Sequence, residues 1–156
     1  MSKKYIGLIL ILMAVSAESS DLNIKSMDSP MELLVHKTPT CGCCKMWVKH
    51  MENNGFAIRT QDHQSLEKIK TMLKIEPQYR SCHTGVSSNG YFFEGHIPSE
   101  YVSKFLSENN PDAIGLSVPG MPLGSPGMEV EDRFTPYDVL IHFKNGETKV
   151  YAEVRR

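Results

Sequence analysis

The sequence predicts an α/β fold in which strands and helices alternate along residues 31–156. Two observations support this prediction. Short apolar runs that end at turn residues alternate with segments whose apolar residues recur at helical spacing. Two further pairs of strand-like runs flank turn sequences at 87–90 and 144–147, which suit β-hairpins. The chain has 156 residues, of which 40% are hydrophobic, so it can bury one core of ordinary size.

The first four predicted elements alternate strand and helix. Residues 31–37 form an apolar run that stops at a Thr-Pro-Thr turn, which predicts a buried strand. A helix should follow, with Thr40 as its cap and an apolar stripe that begins at Cys44. Residues 56–60 predict a second strand, and residues 65–73 predict a second helix.

The next elements predict a hairpin, a third helix and a long loop. Residues 84–86 and 91–94 flank a Ser-Ser-Asn-Gly turn, and Pro98 suits the first turn of a helix. The resulting order, β-α-β-α-β-β-α, is shared by thioredoxin-like domains. Residues 112–136 then form a long loop rich in Pro and Gly, and an added C-terminal β-hairpin follows around residues 144–147. We therefore expect one thioredoxin-like domain over this part of the chain.

The first 30 residues are expected to lie outside this domain. Residues 1–17 combine Lys3 and Lys4 with an apolar segment and a small-residue cleavage site, which is typical of a cleaved signal peptide. Residues 18–30 are rich in Ser and Asp and predict a flexible leader. The apolar segment is shorter than the roughly 20 residues that a bilayer-spanning helix needs. We expect an exported, soluble protein with no membrane span.

The charge balance argues against nucleic acid as a partner. The chain has 17 Lys and Arg against 18 Asp and Glu, so it offers no basic excess to neutralise a phosphate backbone. The sequence also contains no G-x-S-x-G elbow, no phosphate-binding glycine loop and no H-E-x-x-H motif. Hydrolase and nucleotide-binding functions therefore have no support.

Three of the four cysteines lie within four residues at the start of the first predicted helix: Cys41, Cys43 and Cys44. Cys41 and Cys44 form a C-x-x-C pair, and a helix N-terminus lowers the pKa of the first thiol, which becomes a nucleophile and a metal ligand. A dithiol exchanger needs two sulfurs, whereas a soft metal gains from each additional thiolate. The cluster favours a metal site or a mixed metal and redox site. Dithiol chemistry through Cys41 and Cys44 alone, or purely structural disulfides, are the alternatives.

Further candidate ligands lie in the predicted loops. Cys82 and His83 lead into the third strand, in a loop that lies beside the first-helix cysteines of thioredoxin-like domains. Alternatively, Cys82 pairs with one of the other cysteines and His83 is an exposed residue. His96 follows the hairpin and is either a site residue or an ordinary turn histidine. The long loop repeats Pro-Gly-Met, which places Met121 and Met128 where a thioether can bind Cu(I) or simply cover the site.

Four blocks of the sequence together resemble one known family. They are HKTPTCGCCKMW at 36–47, SCHTG at 81–85, EGHIP at 94–98 and GLSVPGMPLGSPGME at 115–129. In these blocks the chain resembles the CopG-type periplasmic copper-resistance proteins. The resemblance implies a periplasmic protein with a thioredoxin-like core that handles copper through its cysteines, with a proposed link to copper redox chemistry. The thiolate and thioether donors favour one or more Cu(I) ions. Other periplasmic copper-handling or redox proteins would be its partners.

Carried over by position, the resemblance implies one set of metal-site residues: Cys41, Cys43, Cys44, Cys82, His83, His96, Met121 and Met128. Thioredoxin-like exchangers carry a proline at the start of the third strand, where this chain has Cys82, and this argues against general disulfide exchange. Three hypotheses follow. In the first, the chain is a Cu(I)-binding protein that can also act as a copper-linked thiol oxidoreductase. In the second, it is a metal-free oxidoreductase with Cys41 and Cys44 as reactive thiols. In the third, it is an interaction domain with structural disulfides.

Overall fold

The structure is a computed structural model that describes residues 31–156. The predicted signal peptide at 1–17 and the predicted leader at 18–30 lie outside the described residues. Within residues 31–156, no helix is both long and apolar enough to cross a membrane.

Strands and helices alternate through the first half of the described chain, as predicted. The strands are β1 (Met31–Lys37), β2 (Phe56–Asp62), β3 (Thr84–Ser87), β4 (Phe92–Glu94), β5 (Ala113–Ser117), β6 (Tyr137–Phe143) and β7 (Thr148–Val154). The helices are α1 (Gly42–Asn53), α2 (Glu67–Met72) and α3 (Ser99–Ser107), and a short 3₁₀ turn spans Pro77–Tyr79. The class is mixed α/β, and the order up to α3 is the one that the sequence predicts.

The seven described strands form one sheet in the order β2-β1-β3-β4-β5-β6-β7. β1 is parallel to β2 and antiparallel to β3, and β3 is antiparallel to β4. The end of β1 and the beginning of β3 therefore lie at the same edge of the sheet. Since α1 follows β1 and Cys82 precedes β3, this topology brings the start of α1 close to Cys82.

The prediction of an uninterrupted loop over 112–136 is wrong at its beginning. Ala113–Ser117 form β5, which pairs in parallel with β4 and antiparallel with β6. The strand is short and contains Gly115, a residue that usually weakens strands, so local periodicity does not reveal it. The glycine is required here because a Cβ at this position would overlap the backbone oxygen of Phe92. Pairing on both sides stabilises a segment that has little strand propensity of its own.

Helix α1 begins after Cys41, which replaces the predicted Thr40 as the N-cap. The Sγ atom of Cys41 accepts a hydrogen bond from the backbone N–H of Cys44 at 3.3 Å. Cys44 is buried, as are Trp47 and Met51 on the same face of the helix. The indole N–H of Trp47 donates to the backbone oxygen of Ile97 at 2.8 Å. These contacts fix the position of α1 over the sheet and therefore fix its cysteines.

Candidate metal centre

The four cysteine sulfurs meet at the N-terminus of α1. Cys41 and Cys44 form a disulfide, and Cys43 and Cys82 are free thiols. The Sγ atom of Cys43 lies 3.5 Å from Sγ of Cys41 and 3.8 Å from Sγ of Cys82. All four sulfurs lie within 4.8 Å of one another. The loop before β3 thus delivers Cys82 to the α1 cysteines, which is the placement that the sequence predicts.

Cys82 also belongs to a second group of potential ligands, together with His83 and His96. Its Sγ atom lies 3.3 Å from Nδ1 of His83 and 3.1 Å from Nε2 of His96. The ligand atoms of this group likewise lie within 4.8 Å of one another. Cys82 is therefore shared by a four-sulfur group and a Cys-His-His group. The structure brings these six candidate residues together.

Both imidazoles of the second group are buried and favour the neutral form. Burial lowers the pKa of His83 well below its usual value, and the nearby charges of His96 and Lys70 lower it further. Burial also lowers the pKa of His96, although its hydrogen bond to Pro126 and the charge of Glu129 oppose this shift. A neutral imidazole carries the lone pair that a metal ion requires.

The ring of His83 is held between two other rings. Its centroid lies 4.4 Å from the centroid of Trp47 and 5.0 Å from that of His96. Its Nδ1 atom faces the sulfur of Cys82, while its Nε2 atom is buried without a hydrogen-bond partner. An unpaired buried nitrogen costs free energy. Packing against the two rings and the contact with Cys82 must offset this cost and hold the ring in place.

The thiol of Cys82 favours its protonated form in the metal-free protein. Burial raises its pKa to about 12, and the neighbouring Cys43 adds to the shift. A metal ion bound to this sulfur would displace the proton, because the thiolate is the form that ligates metals. Metal binding at Cys82 would therefore be coupled to proton release.

A buried ion pair between Lys70 and Glu94 fixes the loop that carries Cys82. The Glu94 carboxylate accepts hydrogen bonds at 2.5 Å from the backbone N–H of Ser81 and from the Thr84 hydroxyl. Lys70 donates to the backbone oxygen of Ser81 at 3.0 Å. These contacts hold the backbone on both sides of Cys82. The sequence does not predict these contacts, because no local pattern marks a pair of charges 24 residues apart.

The two Pro-Gly-Met segments border the cluster in different ways. Gly127 has a φ of +86° and packs on α1, where a Cβ would lie 2.7 Å from the backbone oxygen of Cys43. The backbone oxygen of Gly120 accepts a hydrogen bond from the Ser81 hydroxyl at 2.5 Å. Met128 is half-buried, whereas Met121 is 52% exposed. Each methionine thus adjoins a glycine that touches a cysteine-bearing segment.

Two solved structures resemble this chain over most of its length. "Copper resistance protein copG- Form 2" has a TM-score of 0.77 and 40% identity, with 81% of this chain and 100% of that chain covered. "Copper resistance protein copG- Form 1" has a TM-score of 0.76 and 40% identity, with 82% and 100% covered. The chain belongs to the CopG family of copper resistance proteins. The family described as "Protein of unknown function, DUF411" also matches residues 79–128. No curated protein sequence matches the chain.

The donor set fits the copper chemistry that the CopG family name indicates. Thiolate sulfur and imidazole nitrogen are ligands that copper accepts, and thiolates select Cu(I) in particular. With the Cys41–Cys44 disulfide formed, the cluster offers two free thiols, and reduction of the disulfide supplies two more. The number of free thiols in the cluster therefore depends on the oxidation state of Cys41 and Cys44.

Proposed function

We propose that this chain is a periplasmic copper-binding protein of copper resistance, which binds Cu(I) through its clustered cysteines with assistance from His and Met. The proposed ligands are Cys41, Cys43, Cys44, Cys82, His83, His96, Met121 and Met128. The observation that carries the proposal is the position of Cys82, whose sulfur contacts Cys43, His83 and His96 at once. Sulfurs this close together can share a metal ion or bridge more than one.

The proposal includes a link between copper binding and thiol oxidation. Oxidation of the Cys41 and Cys44 thiols to a disulfide releases two electrons and two protons. Two Cu(II) ions would accept the electrons and become Cu(I), the state that the remaining sulfurs favour. The half-buried Cys41 at the helix N-cap is the better nucleophile of the pair, since Cys44 is buried and the helix N-terminus favours a thiolate at Cys41.

The proposed architecture is a single thioredoxin-like domain over residues 31–156, with export to the periplasm directed by a signal peptide at residues 1–17. The strand order β2-β1-β3-β4, with β1 parallel to β2, supports such a core. Strands β5 to β7 extend the sheet beyond it. Export would also allow the Cys41–Cys44 disulfide to persist, because oxidising compartments favour disulfides.

An anaerobic titration with Cu(I) tests this function. Residues 18–156, with the cysteines reduced, would compete with a Cu(I) chelator, and the bound copper would be counted. We expect tight binding of at least one equivalent by the reduced protein and weaker binding by the oxidised protein, which has lost two sulfur ligands. Failure of the reduced protein to retain copper against a moderate chelator would contradict the proposal.

A metal-free thiol-disulfide oxidoreductase is the second candidate function, because Cys41 and Cys44 form a disulfide at a helix N-terminus. This function predicts turnover of a disulfide substrate in a chelator-treated protein. Turnover would be lost in Cys41→Ser and retained in Met121→Leu. The copper proposal instead predicts that Met121→Leu alters copper binding, so the same two variants separate the two functions.

A further inference from the structure

His36 and His63 form a pair of imidazoles that the cysteine cluster does not use. His36 lies near the end of β1, and His63 directly follows β2. The backbone N–H of His63 donates to the backbone oxygen of Lys37 at 2.9 Å, which fixes the two strand ends side by side. Nδ1 of His36 then lies 2.9 Å from Nε2 of His63, with the ring centroids 5.1 Å apart.

This separation matches two ligands on one metal ion. Imidazole nitrogens bind metals at about 2.0 Å, so two of them at a right angle lie about 2.8 Å apart. In the metal-free protein one ring donates a hydrogen bond to the other. Metal binding would move that proton to the other nitrogen of the same ring, so that both imidazoles stay neutral and both facing nitrogens offer a lone pair. Both side chains are half-buried, so water could complete the coordination of a bound ion.

We propose that His36 and His63 form a second metal site, which takes Cu(II) and is separate from the cysteine cluster. Cu(II) is favoured over other first-row divalent ions because nitrogen donors bind it most strongly and because it prefers right-angled ligands. Burial and the neighbouring charge of His63 lower the pKa of His36, which keeps this imidazole unprotonated near neutral pH. This inference does not depend on the proposed Cu(I) function.

The surroundings of the pair suit a site that exchanges metal with solvent. A cavity of about 210 Å³ borders His36, though not His63, and is also lined by Glu32 and Arg59. The neighbouring Asp62 is paired with Lys37 at 2.5 Å, so its carboxylate charge is largely neutralised. His36 is in register with Thr84, two residues after Cys82, which puts the pair at the same edge of the sheet as the cysteines.

Titration with cupric chloride, followed by electron paramagnetic resonance, tests the site. The background is Cys43→Ser/Cys82→Ser with the Cys41–Cys44 disulfide intact, because this protein has no free thiol to reduce Cu(II). We expect one Cu(II) with a two-nitrogen signature and an apparent affinity that falls at least about tenfold in His36→Gln and in His63→Gln. His50→Gln is the matched control, since His50 is also half-buried but accepts its hydrogen bond from the backbone N–H of Ser99.

A second measurement needs no histidine substitution. In the same background, less than one equivalent of Cu(II) should broaden the imidazole NMR signals of His36 and His63 before those of His50 and His142. Equal broadening of all histidines, or an affinity that neither His36→Gln nor His63→Gln lowers, would overturn the proposal. The background lacks Cys43 and Cys82, which are two of the proposed Cu(I) ligands. A negative result for the histidine pair is therefore separate from a failure of Cu(I) binding at the cysteines.

Discussion

His96 donates a hydrogen bond from Nδ1 to the backbone oxygen of Pro126, at a distance of 2.8 Å. This contact joins the long loop to the Cys-His-His group. It also assigns the ring proton to Nδ1, so the unprotonated Nε2 faces the sulfur of Cys82 at 3.1 Å. Such a carbonyl partner orients an imidazole toward a metal ion and increases its basicity. The long loop therefore contacts the site through its backbone at Pro126.

Gly127→Ala should weaken both folding and copper binding. The new Cβ would lie 2.7 Å from the backbone oxygen of Cys43 and 2.8 Å from the backbone nitrogen of Trp47, at a φ that L-residues rarely adopt. The loop must shift, and the carbonyl of Pro126 moves with it. We expect a loss of about 1–3 kcal/mol in the free energy of unfolding and roughly 10- to 100-fold weaker Cu(I) binding. Urea denaturation and chelator competition measure the two effects.

The matching position in the other Pro-Gly-Met segment supplies the control. Gly120 also has a positive φ, +69°, but a Cβ there would meet no atom within 4 Å. Gly120→Ala should cost only the backbone strain, about 1–2 kcal/mol, and leave Cu(I) affinity nearly unchanged. If the two substitutions weaken copper binding equally, packing of Gly127 on α1 does not support the site.

Met121→Leu and Met128→Leu should each lower the affinity for Cu(I), on the order of tenfold, because leucine keeps the volume of the side chain but has no sulfur. Met72→Leu is the matched control, since Met72 is an exposed methionine on α2. Chelator competition on the three reduced variants measures the effect. The same affinity in all three would show that the loop methionines cover the site without binding copper.

Copper binding should strengthen as the pH rises. The pKa of the Cys82 thiol is raised to about 12 in the metal-free protein, so the thiol carries a proton at neutral pH that Cu(I) must displace. Affinity should rise by up to about tenfold per pH unit for each proton displaced, between about pH 6 and pH 8. In Cys82→Ser one fewer proton is released, and the slope should decrease by one unit. A slope that Cys82→Ser leaves unchanged would exclude Cys82 as a ligand.

Lys70→Met should strongly destabilise the fold, because it leaves the Glu94 carboxylate buried without its counter-charge. Removal of one partner from a buried ion pair costs about 3–5 kcal/mol. Lys37→Met is the control, since its partner Asp62 has a side chain that is 49% exposed and can be hydrated; we expect a loss of about 1 kcal/mol or less. Urea denaturation of both variants measures the difference. Equal losses would show that the buried Lys70–Glu94 pair matters no more to the stability of the fold than the partly exposed Lys37–Asp62 pair.

Elements with a clear local pattern could be predicted from the sequence. Helix α1 carries an apolar stripe from Cys44 to Met51, and strand β1 ends at a turn sequence, so the sequence predicts both. Strand β5 was missed because its stability comes from β4 and β6 on either side, and its Gly115 is required by the backbone of Phe92 rather than by any local preference.

The candidate site likewise has parts that a local sequence pattern predicts and parts that depend on distant partners. Clustering in the sequence identified the α1 cysteines, and the predicted topology placed Cys82 beside them. Contacts between residues far apart in the sequence could not be predicted. One of them is the hydrogen bond from His96 to Pro126, two residues that are 30 positions apart. The pairing of His36 with His63 was also missed, because it depends on the register of two parallel strands.

X-ray absorption at the copper edge tests the central claim most directly, because it reports the atoms bound to the metal. For the reduced, Cu(I)-loaded protein we predict a first shell dominated by sulfur with a smaller contribution from histidine nitrogen. Cys82→Ser should lower the sulfur contribution. A shell of nitrogen and oxygen alone, or a spectrum that Cys82→Ser leaves unchanged, would contradict a copper centre built around Cys82.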